Sequence, residues 1–412
     1  MLEVFLHGRR VGALRRKPES GSLQFRYDAD YVDEGGPPLS QNMPLRKEAY
    51  PPRDCLAFFA NLLPEEDVRT QVALATGISA TNDYRLLERF GGDVAGAVTL
   101  LPSEGEARAT EPGTLEVLSE ERLDELLTQL PQRPLGADEK GEVRLSLAGA
   151  QNKVPVVETG GGFGLPHGSR VPTTHILKPE PANLPGLVEN EFFCMRLAAE
   201  AGLPVANVEK ARTGSGLPFL IVTRYDRDMA TEPIRRLHQE DLCQALGRLQ
   251  SEKYQEEGGP TVREAMELIA EASAVPARDR PQLWSALVFN ALVGNCDSHG
   301  KNYSLLYDSS APSLAPLYDL VSTAVYPGLS TRLAMSIDGA KRLDELNPDA
   351  WRKLASEIGF APRYVDERVP PLVERVLAAA DSLASRPEHD AEVVAEIRSG
   401  IHKRASMMPS RA

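Results

Sequence analysis

The 412-residue sequence contains few cysteines and histidines, and neither set has the spacing of a metal site. The four cysteines lie far apart and form no C-x-x-C pair, which favours buried free thiols in a reducing cytoplasm over a disulfide framework. The seven histidines give no H-E-x-x-H motif and no Cys/His zinc set. No G-x-S-x-G elbow occurs either. These absences argue against a zinc enzyme and a serine hydrolase.

Positive charge and long apolar runs are also scarce. The chain has 46 basic and 59 acidic residues, a net charge of −13. General binders of nucleic acid or anionic membranes are normally basic, so neither function is expected. The most continuously apolar stretch, residues 283–294, is about half of a membrane span, and the first residues lack the pattern of a secretory signal. We therefore predict a cytoplasmic protein that does not associate with membranes.

The chain does contain the alternating strand and helix patterns of an α+β protein. Strands with one inserted helix precede a series of helices, which is the order of a two-lobed kinase, although many other α+β enzymes share it. The predicted parts are an N-terminal α/β module (1–105), a junction (106–142), a strand-rich lobe (143–226), a helical lobe (227–403) and a frayed tail (404–412).

Hydrophobic periodicity and turn residues predict the individual elements. Strands are expected at 4–8, 11–14, 23–27, 95–101, 143–147, 154–157, 175–178 and 219–225. Helices are expected at 55–63, 64–76, 119–130, 187–202, 262–272, 281–294, 351–358 and 372–384. The glycine-rich residues 160–164 are predicted to form a loose hairpin tip.

The most informative segment is a polar loop that follows the apolar, and hence buried, helix 281–294. Asn302 follows Asp297 by five residues, the spacing of the base and the metal-binding asparagine in a kinase catalytic loop. Asp319 lies seventeen residues further on, which permits a hairpin return to the same site. Two carboxylates and an amide would supply hard oxygen ligands for Mg²⁺. The alternative is that these three are ordinary turn and capping residues.

A nucleotide also needs a cation and closely approaching backbone donors. Lys178 ends a β-rich run, as the lysine of the kinase V-A-I-K strand does, and either Glu189 or Glu191 on the next helix could hold it by an ion pair. The small residues of segment 146–153 would let backbone N–H groups approach phosphate oxygens. No Walker motif and no G-x-G-x-x-G occurs. Taken alone, Lys178 could be a solvated lysine and the segment a plain β-turn.

Assembled in order, these segments resemble the HipA-type serine/threonine kinase toxins of bacterial type II toxin–antitoxin pairs. The resemblance covers nearly the whole chain. It is carried by residues 8–12, 58–64, 91–100, 146–153, 172–178, 190–191, 224–227, 239–241, 253–254, 297–302 and 318–319.

The resemblance implies a two-lobed protein-kinase-like fold that uses ATP and Mg²⁺, with Asp297 as the base. Asn302 and Asp319 would hold Mg²⁺, Glu191 rather than Glu189 would pair with Lys178, and Ser146 would be autophosphorylated. The implied nucleotide-binding residues are Ala148, Gly149, Ala150, Gln151, Asn152, Lys153, Lys178, Thr223, Arg224, Tyr225, His299, Gly300, Lys301, Asn302, Tyr318 and Asp319. Asn152 and Thr223 depart from the acidic residues that the family often has at those positions.

The resemblance also implies partners and a substrate. The family's antitoxin is a small dimeric helix-turn-helix protein, so this acidic chain would reach operator DNA only through that antitoxin and act with it as a co-repressor. The substrates known in the family are aminoacyl-tRNA synthetases, whose modification halts translation and growth. Two alternatives stay open: an inactive, kinase-shaped co-repressor, and a small-molecule phosphotransferase of the aminoglycoside-kinase type, which would leave the N-terminal module unexplained.

Overall fold

The computed structural model describes the chain except residues 104–113, 133, 135–146, 150, 168–170, 309–310 and 411–412. The chain divides into two units. The first contains Met1–Pro181, Ala211–Gln250 and Leu306–Ser310. The second contains Ala182–Lys210, Ser251–Leu305 and Ala311–Ala412. The first unit is rich in strands and the second is mainly helical, which confirms the predicted α+β class.

An antiparallel sheet forms the N-terminal part of the first unit. Its strands β1 (Leu2–Leu6), β2 (Arg9–Arg16), β3 (Leu23–Tyr27) and β4 (Val98–Pro102) are hydrogen-bonded in the order β3-β2-β1-β4. Strands β1 and β2 form a hairpin, and its turn is made by His7 and Gly8, whose φ angles are 50° and 76°. Positive φ at both turn residues is the type I′ geometry that suits the twist of two paired strands.

Four helices complete this N-terminal part: α1 (Ala29–Asp33), α2 (Pro52–Phe59), α3 (Glu66–Thr76) and α4 (Asp83–Phe90). The aromatic rings of Phe25, Phe58, Phe59 and Phe90 are fully buried in one core with the apolar side chains of the sheet. The predicted helix 55–63 is observed as α2 followed by a 3₁₀ turn, Ala60–Leu62.

A second antiparallel sheet follows, with β5 (Thr114–Val117), β6 (Val154–Thr159), β7 (Gly162–His167), β8 (His175–Pro179) and β10 (Pro218–Thr223) in the order β5-β7-β6-β8-β10. The strand β9 (Val208–Arg212) precedes β10 in the chain. Helix α5 (Glu120–Gln129), capped by the Ser119 side chain, buries Leu126 and Leu127 in the core of this sheet. Segment 106–142 was predicted as a junction. It instead supplies a strand of the second sheet, β5, and a helix that packs on that sheet, α5.

The first unit ends with short elements: β11 (Arg227–Asp228), β12 (Arg235–Arg236), β13 (His238–Asp241) and helix α7 (Leu242–Ala245). The helices of the second unit are α6 (Leu187–Glu200), α8 (Val262–Ala272), α9 (Pro276–Val293), α10 (Pro348–Glu357), α11 (Pro362–Ala384) and α12 (Ala391–Ala405). Its remaining strands include β16 (Arg332–Ile337) and β17 (Ala340–Arg342), and two short strands lie at β14 (Ser304–Tyr307) and β15 (Ser313–Leu314).

Helix α9 lies at the centre of the second unit and packs against α8, α11 and α12. It begins five residues before the predicted start because Pro276, with its fixed φ angle, is accommodated at the first helical turn. The rings of Trp284 and Trp351 are buried and meet edge to face with centroids 5.5 Å apart. This packing fixes the helix whose end carries the predicted catalytic loop.

All four cysteines are free and buried, as predicted. The predicted strand 143–147 falls mostly on residues outside the described part of the chain. Among the helices that the structure describes, none combines the length and the hydropathy needed to span a membrane.

Candidate active site

The loop that carries Asp297 begins where α9 ends. Gly294 caps α9 with a φ of 76°, the left-handed conformation that glycine adopts without steric cost. A Cβ atom at this position would lie 2.8 Å from Ala324 Cβ and 2.8 Å from Arg404 Cζ. Both the backbone angle and the surrounding side chains therefore require glycine here.

The main chain of Asp297 is fixed from both sides. Its N–H donates to Asn295 Oδ1 at 3.1 Å, and Asn295 Nδ2 in turn donates to Asn290 Oδ1 on α9 at 2.9 Å. Its carbonyl accepts the N–H of His299 at 2.8 Å and Nδ2 of Asn302 at 3.2 Å. These bonds connect the predicted base, Asp297, and the predicted metal ligand, Asn302, within one loop.

The same loop is joined to the segment that follows Asp319. Thr323 Oγ1 accepts the N–H of Cys296 at 2.8 Å and lies 3.1 Å from the carbonyl of Gly294, to which it donates. Ser322 Oγ donates to the carbonyl of Val293. Ser322 also exchanges two backbone hydrogen bonds, of 3.0 and 2.8 Å, with the fully buried side chain of Asn190 on α6.

A further hydrogen bond connects the immediate neighbours of Asn302 and Asp319. The hydroxyl of Tyr318 donates to the carbonyl of Lys301 at 2.7 Å and lies 2.7 Å from Ser304 Oγ. The N–H of Ala315 donates to the carbonyl of Ser304 at 2.9 Å, so the expected return of the chain is observed. The loop and the segment thus form one hydrogen-bonded assembly, which we call the loop assembly (residues 294–304 and 318–324).

Asp319 has a φ of 55°, a left-handed conformation that is unusual for a residue other than glycine. Such conformations cost about 1–3 kcal/mol and are concentrated at functional sites. Asn302 directs Nδ2 at the carbonyl of Asp297, so its Oδ1 is the amide atom that can bind a cation. One carboxylate and one amide oxygen suit Mg²⁺, which completes its shell with phosphate oxygens and water. Within the described residues, no group of three or more His, Cys, Asp or Glu side chains could hold a metal.

Helix α12 supports the start of the loop. Arg404 Nε donates to the carbonyl of Leu292 at 2.7 Å, and its guanidinium lies against Gly294. Residues from 404 onward were expected to be frayed, but α12 continues to Ala405 and Met408 is buried.

The two candidate partners of Lys178 on α6 differ in their surroundings. The carboxylate of Glu189 contacts Lys210 Nζ and accepts from His389 Nδ1 at 2.7 Å. Burial alone would raise the pKa of Glu189, but the hydrogen bonds from His389 and Lys210 outweigh burial and lower it. Glu191 is 2% exposed. Glu189 is thus already bound by two basic side chains of its own unit.

In the first unit, the predicted nucleotide-binding residues lie on β8, on the end of β10 and on the segment before β6. Lys178 is buried and pairs with Leu220 of β10, and Thr223 pairs with His175 at the other end of the same two strands. Lys178 and Thr223 therefore belong to one rigid strand pair.

The segment before β6 is only partly described, because Ser146 and Ala150 lie outside the described residues. Gly149 has a φ of 112°, and its carbonyl accepts the N–H of Glu65 at 3.2 Å. A Cβ atom on Gly149 would lie 2.7 Å from Lys153 Nζ, so the buried Lys153 side chain reaches back over this glycine. Gln151 and Asn152, which lie between Gly149 and Lys153 in the chain, are half-buried.

The side chain of Arg224 is directed into a buried charge network. Its guanidinium donates to Asp226, to Thr173 Oγ1 at 2.8 Å and to the carbonyl of Val94 at 3.0 Å. Any contact of Arg224 with a nucleotide would therefore come from its main chain. The hydroxyl of the neighbouring Tyr225 donates to Gln239 Oε1.

One residue at the site has no role assigned from the sequence. The hydroxyl of Tyr254 donates to Asp297 Oδ1 at 2.6 Å. Residues 253–254 are among the motifs that carry the family resemblance. Tyr254 and Asp297, however, are 43 positions apart, and no periodic pattern connects them. Only the folded structure brings them together.

Two family models match the chain: the HipA N-terminal domain over residues 2–101 and the HipA-like C-terminal domain over residues 145–382. The chain is 47% identical over 386 residues to the putative kinase Y4mE of Sinorhizobium fredii, covering 92% of this chain and 90% of that protein. It is 31% identical over 361 residues to the serine/threonine-protein kinase toxin HipA of Shewanella oneidensis, covering 85% and 80%.

Its structure is similar to a solved structure of the Shewanella oneidensis MR-1 toxin–antitoxin system, a complex of HipA, HipB and operator DNA. The TM-score is 0.85 at 28% sequence identity, and the match covers 98% of this chain and 97% of that chain.

Proposed function

The chain belongs to the HipA family, and on that basis we propose that it is an ATP-dependent serine/threonine protein kinase, the toxin of a bacterial toxin–antitoxin pair. The observation that carries the proposal is the loop assembly, which holds Asp297, Asn302 and Asp319 on one hydrogen-bonded framework. Phosphoryl transfer depends almost entirely on positioning and charge stabilisation, so rigid placement of these three side chains is what the reaction needs.

In this proposal Asp297 orients the hydroxyl of a protein serine and accepts its proton as the hydroxyl attacks the γ-phosphate of ATP. Asn302 Oδ1 and the Asp319 carboxylate would hold Mg²⁺, which neutralises phosphate charge when bound. His299, Gly300, Lys301 and Tyr318 of the same assembly would line the nucleotide.

In the first unit, we assign the phosphates to Lys178 and to the backbone and side chains of residues 148–153, and the adenine to the strand end 223–225. Lys178 and Glu191 are both buried, and a buried charge requires a partner of opposite sign. Because Glu189 is bound to Lys210 and His389, Glu191 remains our choice for the ion pair.

Self-inactivation would occur at Ser146. A phosphate there adds about −1.5 to −2 charge units next to the segment that would bind ATP phosphates. The repulsion would expel the nucleotide. Mass spectrometry of the purified protein and of an Asp297→Asn variant tests this step, because only the active protein should carry the modification.

We further propose a small helix-turn-helix antitoxin as the partner, with which the chain would repress its own operon. The related Shewanella structure contains HipA, HipB and operator DNA. With a net charge of −13, this chain would reach DNA only through such a partner. An aminoacyl-tRNA synthetase is the proposed protein substrate.

An inactive co-repressor of the same shape is the competing function. A dead kinase usually lacks its base or metal ligands, whereas Asp297, Asn302, Asp319 and Lys178 are all present. Incubation of the protein with γ-labelled ATP and a bacterial lysate, followed by identification of labelled bands, separates the two functions.

Asp297→Asn should abolish labelling and growth arrest while leaving thermal unfolding unchanged, because the amide fills the same space. The exposed Asp344→Asn serves as a matched control and should retain full activity. Labelling by Asp297→Asn equal to that of the parent would refute the assignment of the base. No labelling by the parent itself would favour the inactive co-repressor.

A further inference from the structure

Tyr254 makes with Asp297 the contact that a phosphate-accepting hydroxyl is expected to make with a catalytic base. Its hydroxyl lies 2.6 Å from Asp297 Oδ1, a short hydrogen bond of the kind formed between a hydroxyl and a carboxylate. The Asp297 side chain is exposed and Tyr254 is half-buried. This contact raises the question of whether Tyr254 assists the base or blocks it.

The position of Tyr254 is determined by contacts that do not involve Asp297. Its carbonyl accepts the N–H groups of Glu257 and Gly259, both at 2.9 Å. A Cβ atom on Gly259 would lie 2.5 Å from the carbonyl oxygen of Glu252 and 2.7 Å from that of Tyr254, so this tight turn requires glycine.

The residues beside Tyr254 are anchored as well. Gln255 forms two hydrogen bonds of 2.8 Å with the backbone N–H and the hydroxyl of Ser336 on β16. The Tyr254 ring meets the His299 ring edge to face at 5.3 Å, and Lys253 Nζ lies 5.3 Å from the ring centroid. Tyr254 is thus a rigid donor presented to the loop.

The loop contacts described above hold Asp297 through its main chain, and among the described residues its side chain is held by Tyr254. Because the Asp297 side chain is exposed, its carboxylate can rotate about χ1 and χ2 unless a side-chain contact restrains it. The Tyr254 hydroxyl supplies that restraint at Oδ1. Oδ2 then becomes the oxygen that an acceptor hydroxyl can approach.

We propose that Tyr254 is a positioning residue for the phosphoryl transfer: its hydroxyl holds Oδ1 of Asp297 so that Oδ2 accepts the proton of the substrate serine. This inference rests on the proposed kinase function and adds a residue to it. Tyr254 keeps its own proton throughout, and the serine proton is transferred to Oδ2 as the serine oxygen bonds to phosphorus and the bond to ADP breaks. Tyr254 would increase the rate by orienting the Asp297 carboxylate, since misplacing a reacting group by about 1 Å can cost about 100-fold in rate.

The test compares Tyr254→Phe with the parent, using γ-labelled ATP and the lysate protein that the parent labels. Phenylalanine keeps the ring contacts with His299 and removes only the hydroxyl. We expect kcat to fall ~10- to 100-fold, with an unchanged KM for ATP, an unchanged ATP dissociation constant by calorimetry and an unchanged melting temperature. Tyr364→Phe removes a hydroxyl from a ring of α11 that stacks on Phe360, which precedes that helix, and should retain the parent rate.

A second comparison separates positioning from structural support. In an Asp297→Asn background, where no carboxylate is left to orient, adding Tyr254→Phe should leave the melting temperature and the ATP dissociation constant unchanged, whereas loss of structural support would change both in either background. If the parent and Tyr254→Phe are equally active, the positioning role of Tyr254 is refuted and the proposed kinase function stands. A faster Tyr254→Phe would overturn it in favour of a blocking role. A parent that transfers no phosphate would overturn the proposed function as well.

Discussion

Asp319 shows how much a single backbone angle can reveal about a site. An aspartate at a φ of 55° occupies a conformation that only a few per cent of residues other than glycine adopt. The fold holds it there through Tyr318 and through the contacts of Ser322 and Thr323, which flank it on both sides. Strain retained in this way is common where a side chain must point in one direction.

We predict that Asp319→Asn removes metal-dependent nucleotide binding without unfolding the protein. Asparagine tolerates the left-handed conformation as aspartate does, but it lacks the charge that attracts Mg²⁺. Calorimetry should show at least ~10-fold weaker binding of ATP with Mg²⁺ and unchanged binding of adenosine. Equal losses for both ligands would indicate a folding defect instead.

Gly149 leads to a second prediction at this scale. Alanine at this position must adopt a φ of 112° and must displace Lys153 Nζ, which a Cβ atom would approach within 2.7 Å. Strain of this type costs on the order of 1–3 kcal/mol, so we expect Gly149→Ala to raise the ATP dissociation constant ~10-fold or more.

Gly161→Ala is the matched control, because a Cβ atom there meets nothing within 4 Å. Titration of both variants with ATP checks the prediction. If the two variants bind ATP equally well, segment 148–153 does not contact the phosphates.

At the scale of the elements, a network of buried charges fastens β10 and β11 to the loop before β4. Asp93 is fully buried and contacts Arg227 at 2.8 Å, Arg236 at 3.2 Å and Thr173 Oγ1 at 2.6 Å. Burial alone would raise the pKa of Asp93, but the nearby guanidinium charges outweigh it and hold that pKa well below its usual range. The predicted strand 95–101 is observed as β4, which begins only at Val98. The main chain of Gly96, just before β4, is hydrogen-bonded to Asp226 and Arg227 of the network instead.

We predict that Asp93→Ala destabilises the protein by about 3–5 kcal/mol, because it leaves buried guanidinium groups uncompensated. The exposed Asp344→Ala should cost less than about 1 kcal/mol. Thermal unfolding of both variants measures the difference. Similar melting temperatures for the two would show that the arginines find other partners.

The sequence was sufficient to predict elements whose patterns are local. The strand Leu23–Tyr27 and the helix Val262–Ala272 match the prediction at both ends, since alternation marks the strand and Thr261 with Glu264 forms a capping box for the helix. Helix α12 was missed although Val394, Ile397 and Ile401 follow helical spacing and are buried. Its signal was present but weakened by Gly400 in the middle of the pattern.

In the candidate site, too, the residues that follow a local pattern were predictable from the sequence and the others were not. Asp297 and Asn302 share one loop with a recognisable spacing, so the sequence predicts them as candidate site residues. Tyr254 and Arg404 act on that loop across 43 and 107 positions of the chain. No periodic pattern encodes such contacts, because tertiary packing alone determines which distant side chains meet.

At the scale of the whole molecule, stability should depend on pH through Glu240. Its carboxyl group is fully buried, accepts the N–H of Gln41 at 3.1 Å and is also bound by the Tyr307 hydroxyl. Burial raises the pKa of Glu240 to about 7, and the hydrogen bonds from Ser40 and Tyr307 offset burial only in part. A carboxyl that holds its proton more tightly when folded stabilises the fold at low pH, and this contribution is lost as the pH rises through about 7.

We expect Glu240→Gln to remove this dependence, since the amide keeps the size of the group and cannot ionise. Between pH 5 and pH 8 the parent should lose roughly 3 kcal/mol of stability relative to the variant. Melting temperatures of both proteins across that range provide the measurement. Parallel curves would mean that Glu240 is ionised throughout.

The contact between Arg404 and the end of α9 has a consequence for biosynthesis. Residue 404 follows Asp297 by 107 positions, so a ribosome must add that many residues before the guanidinium can reach Leu292 and Gly294. At about 5–20 residues per second this takes roughly 5–20 seconds. The nascent chain therefore carries the loop of Asp297 without its last support for the whole of that interval, and the candidate active site becomes complete only after most of the chain has been translated.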